Sequence, residues 1–151
     1  MDDLSICSFN CRGLSSLFKK RNELFLWLRK QNFNIILLQE THSTLSCEKL
    51  WRKEWGSKIS FCHGSRNSKG VCILFNNNFD YEILEENAKM NGRFISVKIK
   101  TDTGKYNIVN VYGPNENDVE FMHLCFKEIE NLSNNDQNIV GATLIVFSIT
   151  N

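Results

Sequence analysis

Ile35-Ile36-Leu37-Leu38-Gln39-Glu40-Thr41-His42 is the stretch on which the fold turns. Successive side chains of a strand point to opposite faces, so four aliphatic residues in a row describe a strand covered on both sides. The run then breaks into Gln39, Glu40, Thr41 and His42, and the ends of buried strands are where loops meet and sites form. Two other strand-like stretches end the same way. Residues 4–9 alternate and stop at Asn10-Cys11-Arg12-Gly13, and residues 106–112 stop at Tyr112-Gly113-Pro114.

Outward from these ends the chain alternates between helical and strand periods. Leu17, Leu24, Phe25 and Leu28 share one helical face behind a capping Ser15 or Ser16, with Lys19, Lys20, Arg29 and Lys30 on the other faces. A second helix is predicted over residues 46–55. A third, over 118–132, would turn Phe121, Leu124, Cys125, Ile129 and Leu132 inward. Further strands are predicted at 58–63, 70–75, 81–85 and 93–100, with a last one starting at 138–140. Thr101-Asp102-Thr103-Gly104 reads as a hairpin turn. Helices flanking strands at both ends of the chain, with antiparallel-looking strands between, predict an α/β sandwich with a mixed sheet. There is no internal repeat and no linker.

Composition narrows the function classes. A chain of 151 residues, 42% of them hydrophobic, holds one domain with a real core. Eighteen basic residues against 17 acidic ones leave a net charge of +1, which gives no global field for DNA or a membrane. Eleven Phe and three Trp exclude disorder throughout, and one Pro excludes a Pro-rich linker. Scattered Asn, with Ala only at 88 and 142, fits an AT-rich coding sequence. The six cysteines contain no Cys-x-x-Cys pair and read as buried reduced thiols. Met1-Asp2-Asp3-Leu4-Ser5 is no signal peptide, and no apolar run is long enough to span a bilayer. A soluble intracellular protein, without a membrane partner, is the expectation.

A carboxylate at a strand end, such as Glu40, is a hard oxygen ligand suited to Mg²⁺, which keeps several waters and uses few protein groups. An amide such as Asn10 can orient that ligand, and the Tyr112 hydroxyl can donate to a phosphate. Spacing alone leaves a plainer reading open for each: a solvated turn carboxylate and ordinary strand ends.

Four blocks in order carry a resemblance. They are Ser8-Phe9-Asn10-Cys11-Arg12-Gly13-Leu14, Ile36-Leu37-Leu38-Gln39-Glu40-Thr41-His42, Lys69-Gly70-Val71, and Asn110-Val111-Tyr112-Gly113-Pro114-Asn115. Together they resemble the endonuclease/exonuclease/phosphatase superfamily, and in spacing the apurinic-endonuclease-like endonuclease domain of a non-LTR (LINE-type) retrotransposon. The resemblance implies a DNase I-like four-layer α/β sandwich, incomplete at its C-terminus. It implies a Mg²⁺-dependent phosphodiesterase that nicks nuclear DNA to prime reverse transcription, with DNA as partner and no obligate protein partner. It assigns Glu40 and Asn10 to the metal, Tyr112 with them to catalysis, and Asn115, Arg12 and His42 to the DNA side. The Tyr112-Gly113-Pro114-Asn115 block speaks against a phosphatase or sphingomyelinase relative.

The match breaks near the end. Where the family places Gly-Asp-x-Asn, this chain has Gly141, Ala142, Thr143, Leu144 and Ile145, so Thr143 stands for the Asp and Ile145 for the Asn. No acidic residue follows Asp136 and no histidine follows His123, so the family's Ser-Asp-His block is absent. Deleting one base from codons for Gly-Gly-Asp-Phe-Asn-Cys-Val-Leu-Asp-Asn-Lys-Leu-Asp yields Gly-Ala-Thr-Leu-Ile-Val-Phe-Ser-Ile-Thr-Asn and a stop. Residues 1–141 are therefore expected to be the N-terminal part of the domain, and 142–151 a frameshifted tail. Catalytic inactivity follows as an expectation. The alternatives are a nucleic-acid-binding remnant, using Lys19-Lys20-Arg21 and Arg52-Lys53, or a non-functional fragment with an open edge beside residues 138–146. In a near-neutral chain those basic runs read first as solvated helix faces.

Overall fold

A computed structural model describes residues 4–15, 18–132 and 135–143. The expected roles of Ser16, Leu17 and Ile145 fall outside these residues. The chain runs β1 (Ile6–Asn10), α1 (Phe18–Gln31), β2 (Ile35–Gln39), a 3₁₀ turn (Leu45–Cys47), α2 (Glu48–Trp55), β3 (Ile59–Cys62), β4 (Val71–Phe75), β5 (Glu82–Lys89), β6 (Phe94–Lys100), β7 (Lys105–Tyr112), α3 (Val119–Glu130) and β8 (Gln137–Thr143). Two mixed four-stranded sheets result, ordered β1-β2-β4-β3 and β5-β6-β7-β8. The β1–β2 and β7–β8 pairs are parallel and the others antiparallel.

Strand alternation sorts the apolar residues into three cores. Ile35, Leu37, Ile73 and Phe75 of the first sheet face Ile95, Val97, Ile99 and Ile108 of the second. The opposite face of the first sheet, with Ile36, Leu38, Cys72 and Leu74, packs on Phe25 and Leu28 of α1 and Trp51 and Trp55 of α2. The opposite face of the second sheet, with Phe94, Val109 and Val111, packs on Phe121 and Cys125 of α3. Helices, sheet, sheet and helix make the four layers expected. Burying a side chain such as Trp51 or Phe25 contributes roughly 1.5–3 kcal/mol. The Trp55 indole stays satisfied by donating to Phe75 O at 2.8 Å.

Several expectations are corrected. Leu124 does not join the α3 core and is 48% exposed; the buried stripe runs at steps of four through Phe121, Cys125 and Ile129, with Met122 and Leu132 beside it. The Ser15 hydroxyl donates to Arg66 O at 2.9 Å. The strand expected at 81–85 reaches Lys89, since β5 is a largely exposed edge held by pairing to β6, with a bulge between Ile83 and Glu85.

The basic runs are not simply solvated faces. Arg21 is buried, grips Glu54 through Nε (2.6 Å) and Nη2 (2.8 Å), and donates to Leu14 O at 2.9 Å. Arg29 donates to Glu54 O and Trp55 O, both at 2.7 Å, which satisfies carbonyls at the end of α2. Arg52 pairs with Glu48 at 2.6 Å.

Strand β8 crosses the boundary expected at residue 141, pairing Ala142 with Val111 and Thr143 with Tyr112. It is an edge strand, as is β1, and the two lie together: a Cβ on Gly141 would meet the Leu37 and Ser8 side chains. All six cysteines are free thiols.

Candidate active site

The ends of β1 and β2 are laced together by their outgoing loops. Cys11 N donates to Gln39 O (2.9 Å), Gly13 N to Glu40 O (2.7 Å) and Leu14 N to Thr41 O (3.0 Å). From the other side, Thr41 N donates to Gly70 O (2.9 Å) and His42 N to Lys69 O (2.8 Å). This double lacing holds Arg12, Glu40, His42 and Lys69 at φ values of 51°, 54°, 56° and 60°. Non-glycine residues seldom adopt that left-handed conformation, which persists only where neighbours over-determine it. Lys20 of α1 adds a cationic clasp, its Nζ donating to Cys11 O (2.7 Å), Gly13 O (2.9 Å) and Arg12 O (3.2 Å).

Glu40 projects from this laced turn to the end of the other sheet, where the Tyr112 hydroxyl donates to its Oε1 at 2.8 Å. Tyr112 is itself anchored. The Arg93 guanidinium lies 5.2 Å above its ring and donates from Nη1 to its carbonyl oxygen at 3.2 Å. Burial pushes the Tyr112 phenol above its ordinary range, and the carboxylate of Glu40 pushes it the same way, while Arg93 opposes them. The neutral phenol thus stabilises the fold below its ordinary range, and that stability is lost as pH rises through the raised value. Glu40→Gln removes the negative charge, so the Tyr112 phenol should titrate at lower pH than in the wild type. Phenolate absorbance, assigned against Tyr112→Phe, measures this; an unmoved titration would mean that Glu40 does not face the phenol in solution.

Behind the pair lies a closed chain of amides. Gln39 Nε2 donates to Asn110 Oδ1 (2.8 Å) and Ser8 Oγ (3.0 Å). Asn110 Nδ2 donates to Leu38 O and Cys72 O, both at 2.9 Å. Thr143 Oγ1 donates to Gln39 Oε1 at 3.0 Å and lies 3.5 Å from Asn10 Nδ2. These bonds join the two sheets under the site. Asn10 Oδ1 meanwhile accepts from Arg12 N at 3.0 Å.

No family model matches the chain. Over 111 residues, 74% of its length, it is 32% identical to an uncharacterized 149 kDa protein of transposon TX1 from Xenopus laevis, of which it spans 8%. Its structure resembles D. rerio TDP2 complexed with single-strand DNA product (TM-score 0.70, 16% identity, 92% of this chain and 59% of that one). It resembles the endonuclease domain of TRAS1, a telomere-specific non-LTR retrotransposon (TM-score 0.63, 16% identity, 89% and 57%). It also resembles an endonuclease/exonuclease/phosphatase family protein from Bacteroides thetaiotaomicron (TM-score 0.68, 13% identity, 92% and 62%). The fold is that of the endonuclease/exonuclease/phosphatase superfamily. The chain spans about three-fifths of each of these structures.

Within the endonuclease/exonuclease/phosphatase fold, Asn10, Glu40 and Tyr112 lie on adjoining strand ends, as the sequence suggested. Arg12 is exposed beside Asn10, and His42 is half-buried, with its ring against Gly13. Asn115 is exposed and lines a cleft with Arg93, beyond Tyr112. Local pattern assigns no role to Gln39 or Asn110 and marks Arg93 only as the start of a strand. An amide at an inward position of an apolar strand was the available signal for the first two, because a buried polar group needs partners.

A second polar chain near the site has a structural role. Ser43 Oγ lies 3.0 Å from His63 Nδ1, and His63 Nε2 lies 2.7 Å from Glu48 Oε1. The residue types are those of a hydrolytic triad, but Ser43 is wholly buried, so no substrate reaches its hydroxyl. It fixes the turn that carries Glu40.

For a hard divalent cation the site offers, among the described residues, a single carboxylate, that of Glu40. No group of three or more His, Cys, Asp or Glu side chains could share a metal among the described residues. Glu40 offers Oε2, since its bond from Tyr112 goes to Oε1. One carboxylate with waters and a substrate phosphate is an ordinary Mg²⁺ environment. Among the described residues no helix is long and apolar enough to cross a membrane.

Proposed function

We propose that this chain carries the metal- and phosphate-binding part of an apurinic-endonuclease-like endonuclease domain of a non-LTR retrotransposon. Its substrate is DNA, its place of action the nucleus, and these 151 residues by themselves do not cleave. The Tyr112–Glu40 bond across the two sheets supports the reading, because it brings a phenol hydroxyl and a carboxylate together at adjoining strand ends. The TX1 relative and the likeness to the TRAS1 endonuclease domain support the retrotransposon origin.

Glu40 would hold Mg²⁺, with the Asn10 amide beside it orienting the shell. A bound Mg²⁺ supplies charge neutralisation at phosphoryl oxygens and acidifies a bound water. With substrate bound, the single Tyr112 O–H would pass from Glu40 Oε1 to the scissile phosphate, while Arg12, His42 and Asn115 face the flanking DNA. Hydrolysis also needs a group that orients and deprotonates the attacking water. Thr143 stands at the position that the resemblance gives to an Asp. Its hydroxyl carries no charge and is already donated to Gln39 Oε1 at 3.0 Å. It cannot accept a proton at neutral pH, so the nucleophile is left unactivated.

Calorimetric titration with Mg²⁺ and a plasmid-nicking assay test the two halves separately. The wild type should bind Mg²⁺, Glu40→Ala should not, and supercoiled plasmid should stay intact with both. Equal binding by the two proteins overturns the metal assignment. Nicking that requires Glu40 overturns the inactivity. Reading the coding DNA in the neighbouring frame from codon 141 checks the further proposal that residues 142–151 are out of frame; no Gly-Asp-x-Asn there would sink it.

A further inference from the structure

We propose that Arg93 is a phosphate-binding residue of this site, gripping the nucleic-acid backbone on the Tyr112 side through the cleft bordered by Pro114, Asn115 and Asn117. The inference rests on the nuclease reading above and names a contact that the reading does not contain.

Three features support it. The first is rigidity. Met90, Asn91 and Gly92 have φ values of 57°, 51° and 84°, a tight left-handed turn between β5 and β6. Gly92 packs so closely on the His63–Gly64 backbone that a Cβ would lie 2.7 Å from His63 O, and Gly92 O accepts from Gly70 N at 2.9 Å. The residue after this turn is thus fixed on the same framework that carries Glu40. Tyr112 N donates to Arg93 O at 2.9 Å, and the guanidinium rests on the Tyr112 ring at 5.2 Å and near Phe121 at 6.0 Å. An arginine so stacked has little conformational freedom left to lose on binding.

The second feature is unused donor capacity. A guanidinium carries five N–H groups. Among the described residues Arg93 donates to one acceptor, Tyr112 O, at 3.2 Å, and no carboxylate lies within ion-pair distance of it. Two acidic residues border the same cleft. Asp118 Oδ1 accepts from Phe121 N at 2.9 Å as the N-cap of α3, and Glu116 is exposed at the rim. Two further cations near the site, Lys20 and Arg21, are already committed to internal acceptors.

The third feature is place. Arg93 opens into a cleft of about 520 Å³ lined also by Pro114, Asn115, Glu116, Asn117, Asp118 and Val119. The lining residues 114–119 follow Tyr112 in the chain and Arg93 lies on the Tyr112 ring, so a strand with one phosphate at the Tyr112 hydroxyl would have Arg93 beside it for a neighbouring phosphate. Arginine's planar fork matches phosphate oxygens two at a time.

Fluorescence anisotropy with a labelled single-stranded deoxyoligonucleotide in Mg²⁺ tests this, using wild type, Arg93→Ala and Arg93→Lys across a salt series. Arg93→Ala should bind roughly tenfold more weakly, with the slope of log affinity against log salt reduced by about 0.7. Arg93→Lys keeps the charge and should restore the slope. Thermal unfolding of each variant reports whether the fold survives the substitution. If wild type and Glu40→Ala both fail to bind the oligonucleotide, the nuclease reading falls and this inference with it. If wild type binds and Arg93→Ala matches it in affinity and slope, this inference alone is overturned. Equal loss in both Arg93 variants with an unchanged slope assigns Arg93 a structural role and also overturns it.

Discussion

Arg21→Ala should lower the stability of the fold by about 3–5 kcal/mol, the cost of leaving one member of a buried ion pair without the other. Arg21 and Glu54 side chains are only 4% and 10% exposed, and their two bonds of 2.6 and 2.8 Å form a bidentate pair between α1 and α2. The guanidinium also lies 5.3 Å above the Trp51 ring and donates to Leu14 O, so the substitution strips packing as well as charge. Glu54 would remain in the low-dielectric layer without its bidentate partner. The double substitution Arg21→Met with Glu54→Leu removes both charges and should recover most of the loss. Urea unfolding followed by the fluorescence of the buried tryptophans measures each variant. A loss below about 1 kcal/mol for Arg21→Ala would show that water reaches the pair in solution, since exposed pairs contribute no more than that.

The second large effect concerns Gly70, which connects stability to the site. Its φ is +90°, and a Cβ there would lie 2.6 Å from Thr41 Oγ1 and 3.1–3.2 Å from the amides of His42 and Ser43. Gly70→Val should cost about 3 kcal/mol, combining the left-handed penalty of a branched residue with overpacking. Because the displaced atoms belong to the turn after Glu40, Mg²⁺ binding should weaken in the same variant. Gly56→Ala is the control. Gly56 has φ +82° but nothing within 4 Å, so only the backbone term of about 1 kcal/mol applies and Mg²⁺ binding should be unchanged. Equal losses in the two variants, with Mg²⁺ binding intact, would refute the coupling of Gly70 to Glu40.

Much of the architecture was legible in local pattern. The Ile35–Leu38 run became the doubly buried β2, and the alternation of β6 and β7 separated the inner core from the α3 core. Length changes at β5 escaped the pattern because that strand is held by backbone pairing, to which side-chain periodicity is blind. Leu124 escaped it because a three-or-four spacing admits a wider stripe than one helix crossing one sheet can cover. Lys20 and Arg21 read as surface charges because their acceptors, carbonyls of residues 11–14 and the Glu54 carboxylate, come from other elements.

The same division holds in the site. By itself the sequence determined the strand ends that carry Asn10, Glu40 and Tyr112, because apolar runs and their polar stops are local properties of the chain. Only the tertiary structure decided that the Tyr112 hydroxyl meets Glu40, that Thr143 lies between Asn10 and Gln39, and that Arg93 rests on Tyr112. Those contacts join residues 19 to 133 positions apart, and the ones made to Asn10, Gln39 and Glu40 cross from one sheet to the other. Hydrogen bonds act over about 3 Å, so such partners are set by how the sheets pack and by their register, which no stretch of sequence states.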